Sequence, residues 1–375
     1  MKIFSRILKL KLLILNLILL NIRFLFIKIL NKKVVVFYHP HSNLKEISQF
    51  YLTNLFKFKN KNIKIFFLHQ DFYSNNKNYF IIDRGLRFLY GIDIFVSNYI
   101  TIYFPYNSRK VYIHHDIYDT PLVSKSHEQS IVNRLASYHY ILVPSISSKK
   151  MFSNFFLKNF QKPKILIMGY FKLDYLITKK NNYKKKENIV IAPTNFKANI
   201  SFSCLKYIEK IIIYLLSNTN YKIVLRPHPS NVKDQEIINI NQKFIWNKRF
   251  VLDTSSNYTN TYFASRFMIS DFSGTAYTYA FLTKNPVIFF SPNETLLNKT
   301  YNKDLNFFSD RKKIGIVVDK IPMLSKINNL LRNKSKYKFQ IKKLMNSNIK
   351  VGNSKVFFEK FIEQLLRNKE IIDKF

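Results

Sequence analysis

Residues 266–290 read RFMISDFSGTAYTYAFLTKNPVIFF, and the fold is decided there. RFMIS is a short apolar strand that ends at Ser270, and Asp271 and Ser273 lie in the turn behind it. A helix is expected from about Gly274 to Thr283, and Pro286 then opens a second buried strand, PVIFF. Strand, turn, helix and strand in so short a run is the repeat unit of an α/β domain. The turn also has chemistry. The free N–H groups that open a helix, with the hydroxyls of Ser273 and Thr275, form a cradle for a phosphate or pyrophosphate. Ser273 acting only as a helix cap is the plainer alternative. Gly274 stands where backbone must approach something closely.

The same rhythm extends in both directions. Toward the N-terminus the strands NIVIA (188–192), YKIVLR (221–226) and FVLD (250–253) precede it, and IGIVV (314–318) follows. Before a polar, lysine-rich linker at 179–187 lie VVVFY (34–38), IKIFFL (63–68), IDIFVS (92–97), KVYI (110–113), YILV (140–143) and KILIM (164–168), with helical patterns at Leu44–Phe56 and His127–Tyr138. The expected architecture is α/β: two Rossmann-like domains, 33–178 and 188–352, facing a cleft. Paired apolar residues at 357/358, 361/362 and 365/366 predict a closing helix within 353–375.

Residues 1–32 form a separate N-terminal unit. The charge-free run LLILNLILLNI (12–22) is too short to span a bilayer, and lengthening it admits Arg23 and Lys28. Lys2, Arg6, Lys9, Asn16 and Arg23 fall on one arc of a helix, with Ile, Leu and Phe around the rest, and no acid occurs before Glu46. A basic amphipathic helix lying in the membrane interface is expected, with a tilted anchor or a helix packed on the globular body as alternatives.

Composition removes several classes. Lys and Arg total 61 against 22 Asp and Glu, a net charge of +39, while 47% apolar residues supply a real core. The excess of base either draws polyanions and anionic lipid or reflects a chain biased toward Lys, Asn, Ile, Phe and Tyr. Six glycines, none close to another, exclude a Gly-rich dinucleotide or Walker-type loop. The single Cys204 excludes an internal disulfide and a thiolate metal cluster, which favours a reducing compartment. Basic and aromatic residues are spread along the chain, and no nucleic-acid code is visible.

Open α/β sheets bind ligands beyond the carboxyl ends of their strands. Histidine recurs there: His39 and His41, His69, the pair His114 and His115, and His228. RPHP (226–229) places the Arg226 guanidinium and the His228 imidazole at one strand end, with two prolines stiffening the turn. Arg226 can fork onto phosphate oxygens or pair with a helix terminus. No compact carboxylate cluster suited to magnesium stands out. Asp116 and Asp119 lie close to the histidine pair, to orient it or to cap a helix.

RPHP, SDFSGTAYTYAF, NPVIFF and RKKIGIVV together resemble the CDP-glycerol glycerophosphotransferase family of teichoic-acid polymerases and primases. MGYFKLDYL (168–176) is similar to that family's Gly-x-Pro-x-x-Asp interdomain motif, with Phe171 in place of Pro. IAPTNF (191–196) resembles its Ala-Pro-Thr-x-x-Arg strand end, with Lys197 the nearest base. The family's His-Gly motif falls on YIHHDIYDTPL, where His115 or Asp116 replaces Gly and leaves the base between His114 and His115. The resemblance implies a B-type glycosyltransferase fold, peripheral placement on the cytoplasmic face of the inner membrane, and no bound metal or other cofactor. It implies that Arg226 and His228 hold the pyrophosphate of CDP-glycerol, with Ser273, Gly274 and Thr275 adding donors and Asp271 fixing the turn. His114 or His115 would deprotonate a hydroxyl of a lipid-linked or polysaccharide acceptor, with Asp116 orienting it. A B-type transferase using a nucleotide sugar is the alternative within enzymes. A non-enzymatic basic membrane or nucleic-acid binder is the alternative outside them, and strand-end His and Ser clusters argue against it.

Overall fold

Among the described residues, thirteen strands form two all-parallel sheets. The first contains β1 (Lys33–Tyr38), β2 (Ile63–His69), β3 (Asn78–Phe80), β4 (Ile94–Ser97), β5 (Arg109–Ile113), β6 (Tyr140–Val143) and β7 (Lys164–Ile167), in the order 3-2-1-4-5-6-7. The second contains β8 (Asn188–Ala192), β9 (Lys222–Leu225), β10 (Phe250–Leu252), β11 (Ser265–Ser270), β12 (Val287–Phe290) and β13 (Gly315–Val318), in the order 10-9-8-11-12-13. The computed structural model describes residues 2–39, 55, 57–69, 78–120, 124–157, 161–178, 187–195, 203–255 and 258–368, with backbone alone at 2–9, 78–80 and 324. The helix expected at Leu44–Phe56 (apart from Leu55), His41, Lys197 and nearly all of the linker lie outside those residues.

Central strands read as unbroken apolar runs because both faces are covered. Every residue of β4 and β12 is buried, as are Val34 to Tyr38 of β1. The sheet order reverses between β1 and β4 and again between β8 and β11, so each domain opens a crevice at its carboxyl edge. Polar bonds pin both crevices. His39 Nδ1 lies 2.7 Å from Asn98 Oδ1 in the first, and Asp271 Oδ1 accepts the Thr194 amide at 2.9 Å in the second. The sequence reading has six strands in the first sheet; the seventh, β3, is a three-residue edge strand in a polar stretch.

The helix Lys2–Ile29 is docked on the first domain. Leu13, Leu20, Phe24 and Ile27 form its buried stripe against Val34, Val36, Phe66 and Phe95. The Phe24 ring meets Phe66 edge-on at 4.9 Å, and Lys28 Nζ lies 2.6 Å from Asp93 Oδ2. Of the basic arc, Arg23 stacks over the Phe66 ring at 5.4 Å. The last helix among the described residues, Ser354–Leu366, also lies on the first sheet and buries Phe358, Phe361, Ile362 and Leu365 against Val35, Phe37 and Ile94.

The MGYFKLDYL segment is where this return is held. Gly169 has φ +89°, and a Cβ there would stand 2.5 Å from the Lys350 carbonyl oxygen. Asp174 accepts the Gly352 amide at 2.6 Å and the Ser354 amide at 3.0 Å. Farther along, Tyr118 stacks on Tyr277 of the second domain at 4.1 Å and donates to Asp310, while Asp119 Oδ2 accepts the Asn306 amide at 2.6 Å. The two domains thus share one buried seam.

Candidate active site

β9 delivers Arg226 and His228. The Arg226 amide still donates to Ile191 at 2.8 Å, extending the ladder with β8, and Pro227 and Pro229 then stiffen the exit. The guanidinium is held from below. Its two terminal nitrogens donate to Asp253 Oδ2 at 2.8 Å and to the Ser255 carbonyl at 2.9 Å, and it lies 5.3 Å over the Tyr258 ring. Burial alone would raise the Asp253 carboxyl; Ser255, Thr261 and Arg226 outweigh it and hold the pKa below the ordinary carboxylate range. Arg226 is therefore oriented by a part-buried ion pair, not waiting as a free fork.

His228 is half-buried. Its Nδ1 accepts the Ser230 amide at 3.3 Å and lies 2.7 Å from the Ser230 hydroxyl, which leaves Nε2 to carry the proton of the neutral ring. Burial lowers its pKa first; the Asp116 carboxylate of the first domain opposes that and His115 adds to it.

β11 delivers the cradle. Asp271 is buried, bonded to the Thr194 amide and, at 3.2 Å, to the Cys204 amide. Burial pushes its carboxyl up to about 6 against those N–H groups. It braces the turn, as expected, and does so by tying β8 to β11. The helix runs Thr275–Thr283. Ser273 Oγ is 3.4 Å from the Thr275 amide, the outer limit of a hydrogen bond, so the cap is loose. Thr275 Oγ1 lies 2.5 Å from the Tyr262 hydroxyl. Gly274 has ordinary helical φ, and its need is steric: a Cβ would stand 2.8 Å from Thr120 Oγ1 and 3.1 Å from Asp116 Oδ1. What the glycine backbone approaches is the first domain.

β5 delivers the histidine pair, and the structure separates them. His114 continues the ladder through its amide to Leu142, and its ring is buried against Phe152 at 5.0 Å. Burial first, then His115, lowers its pKa to about 3, so the ring stays neutral. His115 is exposed, and its carbonyl accepts the Tyr170 hydroxyl at 3.1 Å. Asp116 and Thr120 thus stand against the start of the Thr275–Thr283 helix, and the exposed His115 precedes them in the chain. Among the described residues no three His, Cys, Asp or Glu side chains converge as a metal site would require.

Several members of the site escape sequence reasoning. Asp253 closes the strand FVLD, where an acid at a strand end is a visible signal. Tyr258, which also takes Lys172 Nζ 4.8 Å over its ring, sits in a polar loop with no such mark. Thr120 is buried, and its hydroxyl has no hydrogen-bond partner among the described residues.

The family model for CDP-glycerol:poly(glycerophosphate) glycerophosphotransferases matches residues 22–355. The chain belongs to that family. It is a transferase of the CDP-glycerol glycerophosphotransferase class. The match reaches well beyond the stretch from YIHHDIYDTPL to RKKIGIVV that carries the motifs. The wall teichoic acid polymerase TagF has the same fold at 19% identity, with a TM-score of 0.61 over 90% of this chain and 89% of that one. A histidine variant of TagF soaked with CDPG superposes at 18% identity, with a TM-score of 0.57 over 90% and 88%. The UDP-GlcNAc 2-epimerase of Methanocaldococcus jannaschii superposes at 15% identity, with a TM-score of 0.50 over 89% and 99%. No curated relative matches this chain in sequence.

Proposed function

We propose that this transferase moves glycerol phosphate from CDP-glycerol to a hydroxyl of a lipid-linked or surface-polysaccharide acceptor. The observation that carries the reading is the close approach of Asp116 and Thr120, on the segment that follows the exposed His115, to the Gly274 helix start. In this scheme the acceptor oxygen attacks the β-phosphorus, its proton passes to His115, and the bond from that phosphorus to the bridging oxygen breaks as CMP leaves. Negative charge on the phosphoryl oxygens is met by His228 Nε2–H, by the helix N–H groups and by the hydroxyls of Ser273 and Thr275. Asp116 would orient the neighbouring His115, and Arg226 would serve through its oriented edge. The chemistry needs no resident cofactor, since base and donors are all side chains or backbone. The enzyme works at the cytoplasmic face of the membrane as a peripheral protein, which suits an acceptor that grows on a lipid.

Donor-dependent thermal stabilisation and turnover test this. CDP-glycerol should stabilise the protein where nucleotide sugars do not, and His228→Ala or Ser273→Ala should weaken that binding by about 1–3 kcal/mol. Stabilisation by a UDP-sugar with none by CDP-glycerol would overturn the reading.

A further inference from the structure

We propose that the outer face of the helix Lys2–Ile29 and an aromatic shelf made of Phe88, Tyr90 and Tyr106 form one lipid-binding surface, on which the protein lies with that helix in the membrane plane. The inference rests on the peripheral placement proposed above and adds its site and orientation. The helix is apolar on both sides, but the domain covers only one. Leu20 and Phe24 are fully buried, whereas Leu15, Ile18, Leu19, Ile22, Leu25 and Phe26 are each 50–63% exposed. A contiguous apolar ridge of this kind marks a contact surface.

The shelf is fastened to the ridge by an amide. Asn21 donates to the Phe88 carbonyl at 2.8 Å and accepts the Tyr90 amide at 2.8 Å, which explains a polar residue in the middle of the apolar run. Gly91, at φ +75°, lets the loop follow the helix beside Phe24 and Lys28. Tyr106 joins through its amide to Leu89 at 3.1 Å and its ring to Tyr90 at 5.8 Å. Phe88, Tyr90 and Tyr106 are 53–61% exposed. Tyrosines at the edge of an apolar face suit the headgroup level of a bilayer.

Charge selects the occupant. Lys11, Arg23, Arg84 and Arg87 are exposed around this surface. The two acids of the region are both engaged inward, Asp83 with the Tyr38 hydroxyl and Asp93 with Lys28, Lys33 and the Val34 amide. A basic rim with no open acid matches an anionic lipid surface. Spanning the bilayer would require peeling Leu20 and Phe24 from the sheet and breaking the Lys28–Asp93 pair, so the helix stays in plane.

The test uses the full chain with its single Trp246 replaced, Trp246→Phe, and one reporter added in turn: Ile18→Trp, Phe88→Trp or Tyr106→Trp. Vesicles are phosphatidylcholine with or without phosphatidylglycerol, carrying acyl-chain-brominated lipid as quencher. All three reporters should be quenched, more strongly with phosphatidylglycerol and less in high salt. Phe88→Asp with Tyr106→Asp should lower vesicle affinity at least about tenfold while CDP-dependent stabilisation is unchanged. Quenching of Ile18→Trp with neither shelf reporter affected overturns the shelf but leaves peripheral binding intact. No vesicle binding, with a lipid-free dimer that protects all three reporters, assigns the surface to a second copy and overturns the peripheral reading too. Resistance to alkaline wash after reconstitution overturns the in-plane orientation.

Discussion

Two neighbouring histidines on one strand end have opposite environments, and this separates their expected phenotypes. His115 is open to the cleft, so His115→Ala should lower turnover by about 10²- to 10⁴-fold, the range of a lost general base, with CDP binding retained. His114→Ala removes a buried ring and should cost about 2–4 kcal/mol of stability with turnover within tenfold of wild type. Steady-state assays beside thermal melts distinguish them; the reverse pattern would move the base to His114. His114 also sets a pH dependence. Its pKa falls from 6.5 unfolded to about 3 folded, so the neutral ring's contribution is complete above pH 6.5 and is lost as pH falls toward 3. The loss reaches about 2 kcal/mol by pH 5. Asp119 and Asp271, both raised to about 6, act with the opposite sign: their contribution is complete below pH 3.8 and disappears as pH rises through 6. The wild-type curve mixes both terms, and the difference from His114→Phe isolates the histidine. Denaturant melts at pH 7 and pH 5 should show His114→Phe losing less stability on acidification than wild type; equal losses would show that the buried ring does not titrate.

The helix Lys2–Ile29 illustrates what periodicity can and cannot give. A sequence that is apolar around all but one basic arc does not say which stripe touches protein, and a first strand at Lys33 suggests that the preceding residues could be removed freely. The stripe Leu13, Leu20, Phe24 and Ile27 covers Val34, Val36 and Phe95, so removal of residues 1–30 should expose the sheet. The truncated chain should melt lower than wild type and scatter light on standing; an unchanged melting temperature would show that the docked stripe adds nothing to the core. Twelve of the thirteen strands were legible, because strands buried on both faces are written as continuous apolar runs. β3 was not, since three residues at a sheet edge carry no pattern. The site was legible wherever unusual residues end a strand, as at RPHP, YIHHD and SDFSG. It was hidden wherever a residue acts through a distant partner, as Tyr258 does between two cations and Thr120 against Gly274; Asp253 ends a strand visibly, but its pairing with Arg226 does not follow from that.

The two domains bring the candidate site residues together where they meet, and they meet through both side chains and backbone. The segment from Asp116 to Thr120 leaves the first sheet and reaches the second domain at three levels: Thr120 and Asp116 at Gly274, Tyr118 between Tyr277 and Asp310, and Asp119 at Asn306. The chain then returns through Gly352 and Ser354 to Asp174, so the seam is closed on both sides. A seam held by buried stacking and hydrogen bonds fixes the distance from His115 to the cradle, and a small intrusion there should act on chemistry more than on folding. Gly274→Ala is that intrusion. Its φ of −60° suits alanine, so the helix itself is not strained, but the new methyl would stand 2.8 Å from Thr120 Oγ1. Relief requires the Thr120 and Asp116 side chains, on the segment that follows His115, to shift. Turnover should fall by about tenfold or more, equivalent to about 1.4 kcal/mol in the barrier, with the melting temperature nearly unchanged. Thr120→Ala removes the opposing hydroxyl, and in the double variant much of the lost turnover should return, since coupling of this kind is expected only for residues in contact. A double variant no better than Gly274→Ala would show that the glycine is required by the bound donor, not by the facing domain.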